Sequence, residues 1–248
     1  MSELLRLPLV EFERRCGDAG AAIDDAIEAL PLADGRMEVW AAGVTYQRSR
    51  SAREEESAAA SVYELVYDAD RPEIFFKAPA WRVVTDGDAI AIRADSPVNV
   101  PEPELALVVN ADGEIVAYTV CNDMSSRSIE GENPLYLPQA KIYDRSCAVA
   151  ATMRPAWEVD DPYDLEIHLA IERDGETAWS GSSSTSLLHR RLPDLVRFLY
   201  RSQSFPDGAI LSTGTPLVPD LSFTLQVGDV VMIEIDGVAT LRNPVVEI

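Results

Sequence analysis

Histidine and lysine are the scarcest reactive side chains in this sequence. There are two of each: His168 and His189, Lys77 and Lys141. Both histidines fall in the second half, so histidine-based chemistry has little to draw on, and surface or core roles are expected for them. Cysteine is nearly as rare. Cys16, Cys121 and Cys147 are an odd set without a C-x-x-C spacing, which excludes a disulfide framework and a cysteine zinc centre and reads as a reducing, cytoplasmic compartment. No apolar run approaches the roughly 20 residues that span a bilayer. The first ten residues carry Glu3 and lack the unbroken apolar stretch of a signal peptide, so no membrane partner is expected. G-x-G-x-x-G and Walker patterns are absent, which removes the usual nucleotide-site signals, and no repeat is visible.

What the chain has in excess is acid. Asp and Glu number 42 against 21 Lys and Arg, a formal charge of -21. Nucleic-acid binders usually present a basic face, so no nucleic-acid partner is expected. An acid-rich, lysine-poor composition suits concentrated salt, which screens self-repulsion. GC-rich coding also replaces lysine by arginine, so the composition alone leaves both origins open.

The length, 248 residues with 47% hydrophobic, suits one large domain with a small appendage. Residues 1–42 read as a small N-terminal region, with helical patterns at 9–15 and 21–30 ended by Pro31 and Gly35. Residues 43–248 read as the catalytic domain. A short strand is expected at 39–44, and a polar, helix-favouring stretch at 46–66 is either a lid or a surface helix. From residue 73 onward, short β-like runs at 74–77, 89–93, 105–109, 115–121, 165–172 and 230–235 are bounded by Pro, Gly, Asn and Asp. One late helix is expected over 193–203. The fold class is therefore α+β, mainly β.

The stretch from Val100 to Asp123 is the most informative. Side chains alternate along a strand, so Glu102, Glu104, Ala106 and Val108 share one face, and Leu105, Leu107 and Val109 the other. Asp112-Gly113 signals a tight turn. With those two residues as the loop, Glu102 lies opposite Asp123 and Glu104 opposite Cys121. Opposed residues point to one face, so Glu102, Glu104 and Asp123 converge. Three such carboxylates need a cation, protons or an arginine between them. Their oxygen donors suit Mg2+, with Mn2+ as the alternative. The competing reading is a solvated edge hairpin, and Pro101 and Pro103 fit an edge strand.

Glu102-Pro-Glu104, Asn122-Asp123 with Ser125-Ser-Arg-Ser-Ile-Glu, and Lys141-Ile-Tyr-Asp144 resemble the fumarylacetoacetate hydrolase superfamily. Pro72-Glu73-Ile-Phe-Phe-Lys77, Ser212-Thr-Gly-Thr215-Pro and Val227-Gly-Asp-Val-Val fit the same pattern, and the match runs from about residue 43 to the C-terminus. The resemblance implies a mixed β-roll core, Mg2+ on Glu102, Glu104 and Asp123, a 2-oxo acid substrate and a homodimer or homotetramer. Carbon–carbon hydrolases of this superfamily carry a His–Glu pair in a lid helix. Here residues 43–56 hold no histidine, and hydrolysis without a general base loses roughly 10²–10⁴-fold. The Tyr-x-Arg-Ser-Arg segment at 46–50 and Gly131-Glu-Asn-Pro-Leu-Tyr-Leu-Pro-Gln-Ala-Lys141 look more like the dehydratases that convert 2-keto-3-deoxy-pentonates to 2,5-dioxopentanoate in pentose degradation.

In that chemistry a base removes a C3 proton and an acid protonates the departing C4 hydroxyl. Glu73 and Lys141 are the expected pair, because lysine can give up a proton and arginine cannot readily do so. Arg127, Thr215 and Lys77 are the expected substrate contacts. Each also has a structural reading: Arg127 paired with Glu130 or Glu132, Thr215 shaping its turn, Lys77 bridged to Glu73. Asp144 is expected to support Lys141. The alternative functions are an acylpyruvate-type hydrolase, a 2-oxo acid decarboxylase or tautomerase, and a non-catalytic metal-stabilised binding protein.

Overall fold

The computed structural model describes residues 1–18, 32–46, 65–220 and 222–248. Short aliphatic runs punctuated by turn residues form strands, as their composition dictates. In chain order these are β1 (Glu38–Gly43), β2 (Glu73–Pro79), β3 (Ile90–Ile92), β4 (Asn99–Val100), β5 (Pro103–Val109), β6 (Ile115–Asp123) and β7 (Ser125–Ser126). They continue as β8 (Cys147–Val149), β9 (Arg154–Pro155), β10 (Glu166–Arg173), β11 (Glu176–Ser184), β12 (Ala209–Ser212), β13 (Val230–Ile235) and β14 (Ala239–Glu247). The α-helices are α1 (Leu9–Asp18), α2 (Arg127–Glu132), α3 (Leu137–Lys141) and α4 (Leu192–Tyr200). No helix among the described residues is long and apolar enough to cross a membrane. All three cysteines are free. The helical pattern at 21–30 and most of the stretch 46–66 lie outside the described residues.

The first sheet runs β2-β1-β12-β5-β6-β8, with β9 also on β6, and the second runs β11-β10-β13-β14-β3. Both are mixed, since β1 pairs with β12 and β14 with β3 in parallel. Leu105, Leu107 and Val109 pack against Ile167, Leu169, Ile233 and Leu241 of the second sheet. Ala106 and Val108, on the opposite face of β5, pack with Leu5, Phe12 and Val39. The expected division of faces is thus the real one. The expected edge position is not: β5 lies between β12 and β6, buried along its whole length. Apolar cover on both faces is what a near-continuous aliphatic run such as Leu105–Val109 requires. Strand β1 crosses the boundary expected at 42/43, because Val39 and Ala41 are already core of the sheet.

The β5–β6 hairpin has the expected register for most of its length. Glu104 pairs with Cys121, Ala106 with Thr119 and Val108 with Ala117. Its loop, however, has three residues. The Gly113 N–H donates to Asn110 O and the Asn110 N–H to Glu114 O, both at 3.0 Å. Gly113 takes the left-handed conformation at φ 79°, which glycine adopts without steric cost. Such a loop shifts the pairing by one residue, and a one-residue slip would turn every later side chain to the wrong face. A bulge takes up the difference: Val109 pairs with Ile115 but Val108 with Ala117, leaving Val116 between them.

The N-terminal segment is stapled to the hairpin end of this sheet. Asp207 accepts from Arg6 Nε at 3.0 Å and from Arg36 Nε and Nη2 at 3.1 Å each. The Ala111 N–H donates to Leu5 O at 2.8 Å, and the Leu9 N–H to Glu114 Oε2 at 2.8 Å. The two guanidinium groups, Arg36 first, hold the Asp207 carboxyl at about 2. A carboxyl depressed in the folded state stabilises above its unfolded pKa, roughly 3.9, and loses that stabilisation as pH falls through its folded value. Asp207→Asn should therefore lower the melting temperature at pH 7, and the gap from the unsubstituted protein should close between about pH 4 and pH 2. A thermal-melt series across pH checks both parts.

Candidate active site

The bulge-corrected register brings three carboxylates together at one end of the first sheet. Oxygen atoms of Glu102, Glu104 and Asp123 lie within 4.8 Å of one another, and all three residues are at most 3% exposed. This rules out a solvated acidic hairpin. Burial, and then the facing charges of Asp123 and Glu102, push the Glu104 carboxyl well above the usual carboxylate range.

Both lysines of the chain are fully buried here. Lys141 Nζ donates to Glu102 Oε2 at 2.8 Å, Asp123 Oδ2 at 3.0 Å and Ser125 Oγ at 2.5 Å. Lys77 Nζ lies 2.5 Å from Asp123 Oδ1 and donates to Met124 O at 3.0 Å and Lys141 O at 2.6 Å. Each ammonium thus meets three acceptors, matching its three N–H groups. The expected bridge from Lys77 to Glu73 is not formed, because Asp123 and the two carbonyls take its donors.

Arg127 Nη2 donates to Glu102 Oε1 at 2.7 Å, and its Nη1 lies 3.6 Å from buried Glu130. It therefore joins the cluster and makes the structural pair with Glu130 as well. Glu73 opens β2 opposite Gly43, and its carboxylate occupies the space that a side chain on Gly43 would fill. Thr215 lines the same recess as Gly43, Phe75, Arg127 and the three carboxylates. Its hydroxyl donates to Leu217 O at 2.9 Å and accepts the Leu217 N–H at 3.2 Å, which shapes the turn. Asp144 does not support Lys141; its side chain is 75% exposed and pairs with Arg82 at 3.3 Å.

Two hydroxyls absent from the expected set also belong. Ser125 Oγ donates to Glu102 Oε1 at 2.8 Å. Ser212 Oγ and the Gly214 N–H both donate to Glu104 Oε2, at 2.5 and 2.8 Å. Each lies in a quoted motif, but serine carries too little pattern of its own to be singled out. Beside them Val44 holds φ 53°, a strained conformation for a β-branched residue. It aims Thr45, whose Oγ1 donates to Thr213 O at 2.6 Å and ties the 212–215 turn in place.

The donor chemistry fits a hard divalent cation. Among the described residues, Arg127, Lys77 and Lys141 face the buried carboxylates of Glu102, Glu104, Asp123 and Glu130. The mutual repulsion of Glu102, Glu104 and Asp123, seen in the raised Glu104 carboxyl, is what an oxygen-ligated ion such as Mg2+ relieves.

Comparison with known proteins agrees with this chemistry. The family described as "Fumarylacetoacetate (FAA) hydrolase C-terminal" matches residues 38–246. The chain is 54% identical over 208 residues to a probable 2-keto-3-deoxyxylonate dehydratase of Haloferax volcanii, covering 84% of this chain and 72% of that protein. It is 44% identical over 212 residues to the 2-dehydro-3-deoxy-D-arabinonate dehydratase of Saccharolobus solfataricus, covering 84% and 71%. Among solved structures it resembles 2-keto-3-deoxy-D-arabinonate dehydratase complexed with magnesium and 2,5-dioxopentanoate. That match has a TM-score of 0.80 at 37% identity and covers 95% of this chain and 87% of the other.

The 212–215 turn offers a direct check on the geometry. Gly214 sits at φ 91°, and a Cβ there would collide with Thr45 Oγ1. Gly214→Ala should cost about 1–3 kcal/mol from backbone strain alone, read as a lower urea midpoint with an unchanged slope.

Proposed function

The chain belongs to the fumarylacetoacetate hydrolase family, and from this we infer that it is a Mg2+-dependent 2-keto-3-deoxy sugar-acid dehydratase. It is a hydro-lyase that converts a 2-keto-3-deoxy-pentonate to 2,5-dioxopentanoate and water. The observation that carries the reading is Lys141, a fully buried ammonium touching two of the three clustered carboxylates. The described residues lining the recess include no histidine, so the general base of the hydrolases has no counterpart there.

Glu102, Glu104 and Asp123 would hold Mg2+, which supplies Lewis-acid polarisation of the 2-oxo group and so acidifies the C3 protons. Glu73 and Lys141 divide the two proton transfers. One takes a proton from C3, and the other protonates the C4 hydroxyl, which leaves as water. The C3–C4 double bond that remains is conjugated with the 2-oxo group. Moving a proton from C5 to C3 gives the enol of the C5 aldehyde, and protonation at C4 with loss of the enol O–H proton completes the product. Arg127 and the 214–215 turn face the substrate carboxylate. Lys77, beside Asp123 and the carbonyls of Met124 and Lys141, acts by holding Asp123 in place.

The reading extends to the setting. Assembly as a homodimer or homotetramer would cover exposed apolar side chains such as Trp81 and Leu135. Three free cysteines fit a cytoplasmic enzyme. The charge of -21 and an outer surface without a single lysine fit an enzyme adapted to concentrated salt.

Two measurements test these points. With Mg2+ in molar KCl, both C4 epimers of 2-keto-3-deoxy-pentonate and an acylpyruvate are offered side by side. The dehydratase reading expects EDTA-sensitive 2,5-dioxopentanoate and no acylpyruvate cleavage, and Lys141→Ala should lower kcat roughly 10²–10⁴-fold. Cleavage of the acylpyruvate alone would sink it. Melting temperature should also rise from low to molar KCl as salt screens the acidic surface; a flat profile rejects salt adaptation.

A further inference from the structure

Arginine is distributed unevenly over this acidic surface. Most described arginines have a carboxylate partner, as Arg93 has Asp95, Arg154 has Glu158 and Arg173 has Asp229. Arg71, Arg145, Arg190, Arg191 and Arg201 have none within 4.0 Å. With acids outnumbering bases two to one, unpaired guanidinium groups should be rare and scattered. Two of them, Arg190 and Arg191, instead line one cavity of about 360 Å3 between residues 70–72, the turn at 189–191 and α4, and Arg71 and Arg201 lie against Phe198 in its wall.

The walls of this cavity are built, not loose. Arg190 Nη2 donates to Val66 O at 2.8 Å and Tyr67 O at 3.0 Å. His189 stacks on Tyr67 with ring centroids 4.2 Å apart, and its Nε2 lies 3.6 Å from Asp68. Phe198 forms a platform on α4. The guanidinium carbons of Arg201, Arg71 and Arg197 lie 4.3, 5.6 and 5.8 Å from its ring centroid. Of the acids at the cavity, Asp194 already pairs with Arg197 at 3.1 Å, which leaves Asp70 as the lining carboxylate without a basic partner. In the lining three guanidinium groups, of Arg190, Arg191 and Arg197, face two carboxylates, of Asp70 and Asp194, and guanidinium groups match phosphate oxygens in paired hydrogen bonds.

We propose that this cavity is a second ligand site, separate from the carboxylate cluster, that binds a phosphate group, free or as the ester of a small sugar. It adjoins the active site. Pro72 in its wall precedes Glu73, and the His189 N–H donates to Thr45 O at 2.9 Å. A bound phosphate would brace the segment that leads into Glu73.

The test titrates the Mg2+-loaded enzyme with inorganic phosphate and, separately, with ribose 5-phosphate, at fixed ionic strength in a calorimeter. Saturable binding of either is expected, and the tighter of the two identifies free phosphate or the ester as the preferred form. Arg191→Ala with Arg201→Ala should weaken that binding about tenfold or more, a loss of about 1.4 kcal/mol, while turnover without phosphate stays unchanged and certifies the fold. Absence of saturable binding by both compounds, or equal binding to the double variant, overturns the proposal.

Discussion

Buried like charge is the constraint on which this molecule is built. Among the described residues, four carboxylates lie out of water at one end of the first sheet, facing two ammonium groups and one guanidinium. An uncompensated buried carboxylate costs several kcal/mol even after relaxation. Such a cluster persists only where every charge is hydrogen-bonded and the surrounding fold holds it. That demand explains why Ser125, Ser212 and the Gly214 N–H point at carboxylate oxygens. It also explains why Val44 is held in a strained conformation to place Thr45.

The sheet meets this demand through register. Glu104 and Cys121 face each other because the Val116 bulge cancels the extra residue of the Ala111-Asp112-Gly113 loop. Asp123 reaches the same face from the end of β6, and Lys77 reaches it from β2, two strands beyond β12. A strand face covered by the N-terminal segment thus continues directly into the site: Ala106 and Val108 pack on Leu5 and Phe12, and Glu104 follows them on the same side.

Much of this was legible before any coordinates. Alternation along β5 and β6 carried the face assignment, because a half-period pattern is local and robust to small errors in loop length. The three carboxylates followed from it, and the two lysines stood out because the composition made them rare. The loop length was not legible, since Asp112-Gly113 suits two- and three-residue loops alike. The central place of β5 was hidden by Pro101 and Pro103, which mark only the start of the strand. Glu130 and Asp144 show the limit most clearly. Both are acids a few residues from a basic group, yet one is 1% exposed and the other, by its side chain, 75%. Which is buried depends on α2 and α3 packing against the sheet, a long-range fact with no local signature.

The retention of two lysines in a chain that otherwise uses arginine follows from the same electrostatics. On the outer surface either cation serves, and here arginine has taken every place. Inside the cluster the two are not equivalent. Lys141 must meet Glu102, Asp123 and Ser125 in three directions from one atom, and Lys77 must meet Asp123 and two carbonyls in the same way. A tetrahedral ammonium does this; a planar guanidinium spreads its donors in one plane and needs more room. Arg127, by contrast, spans two carboxylates, Glu102 on one side and Glu130 on the other, which is the task a broad planar cation performs well. Only the compact cation can also exchange a proton with substrate at moderate cost. The proton transfer proposed for Lys141 would thus ask for the same residue that the geometry of charge compensation requires at position 141.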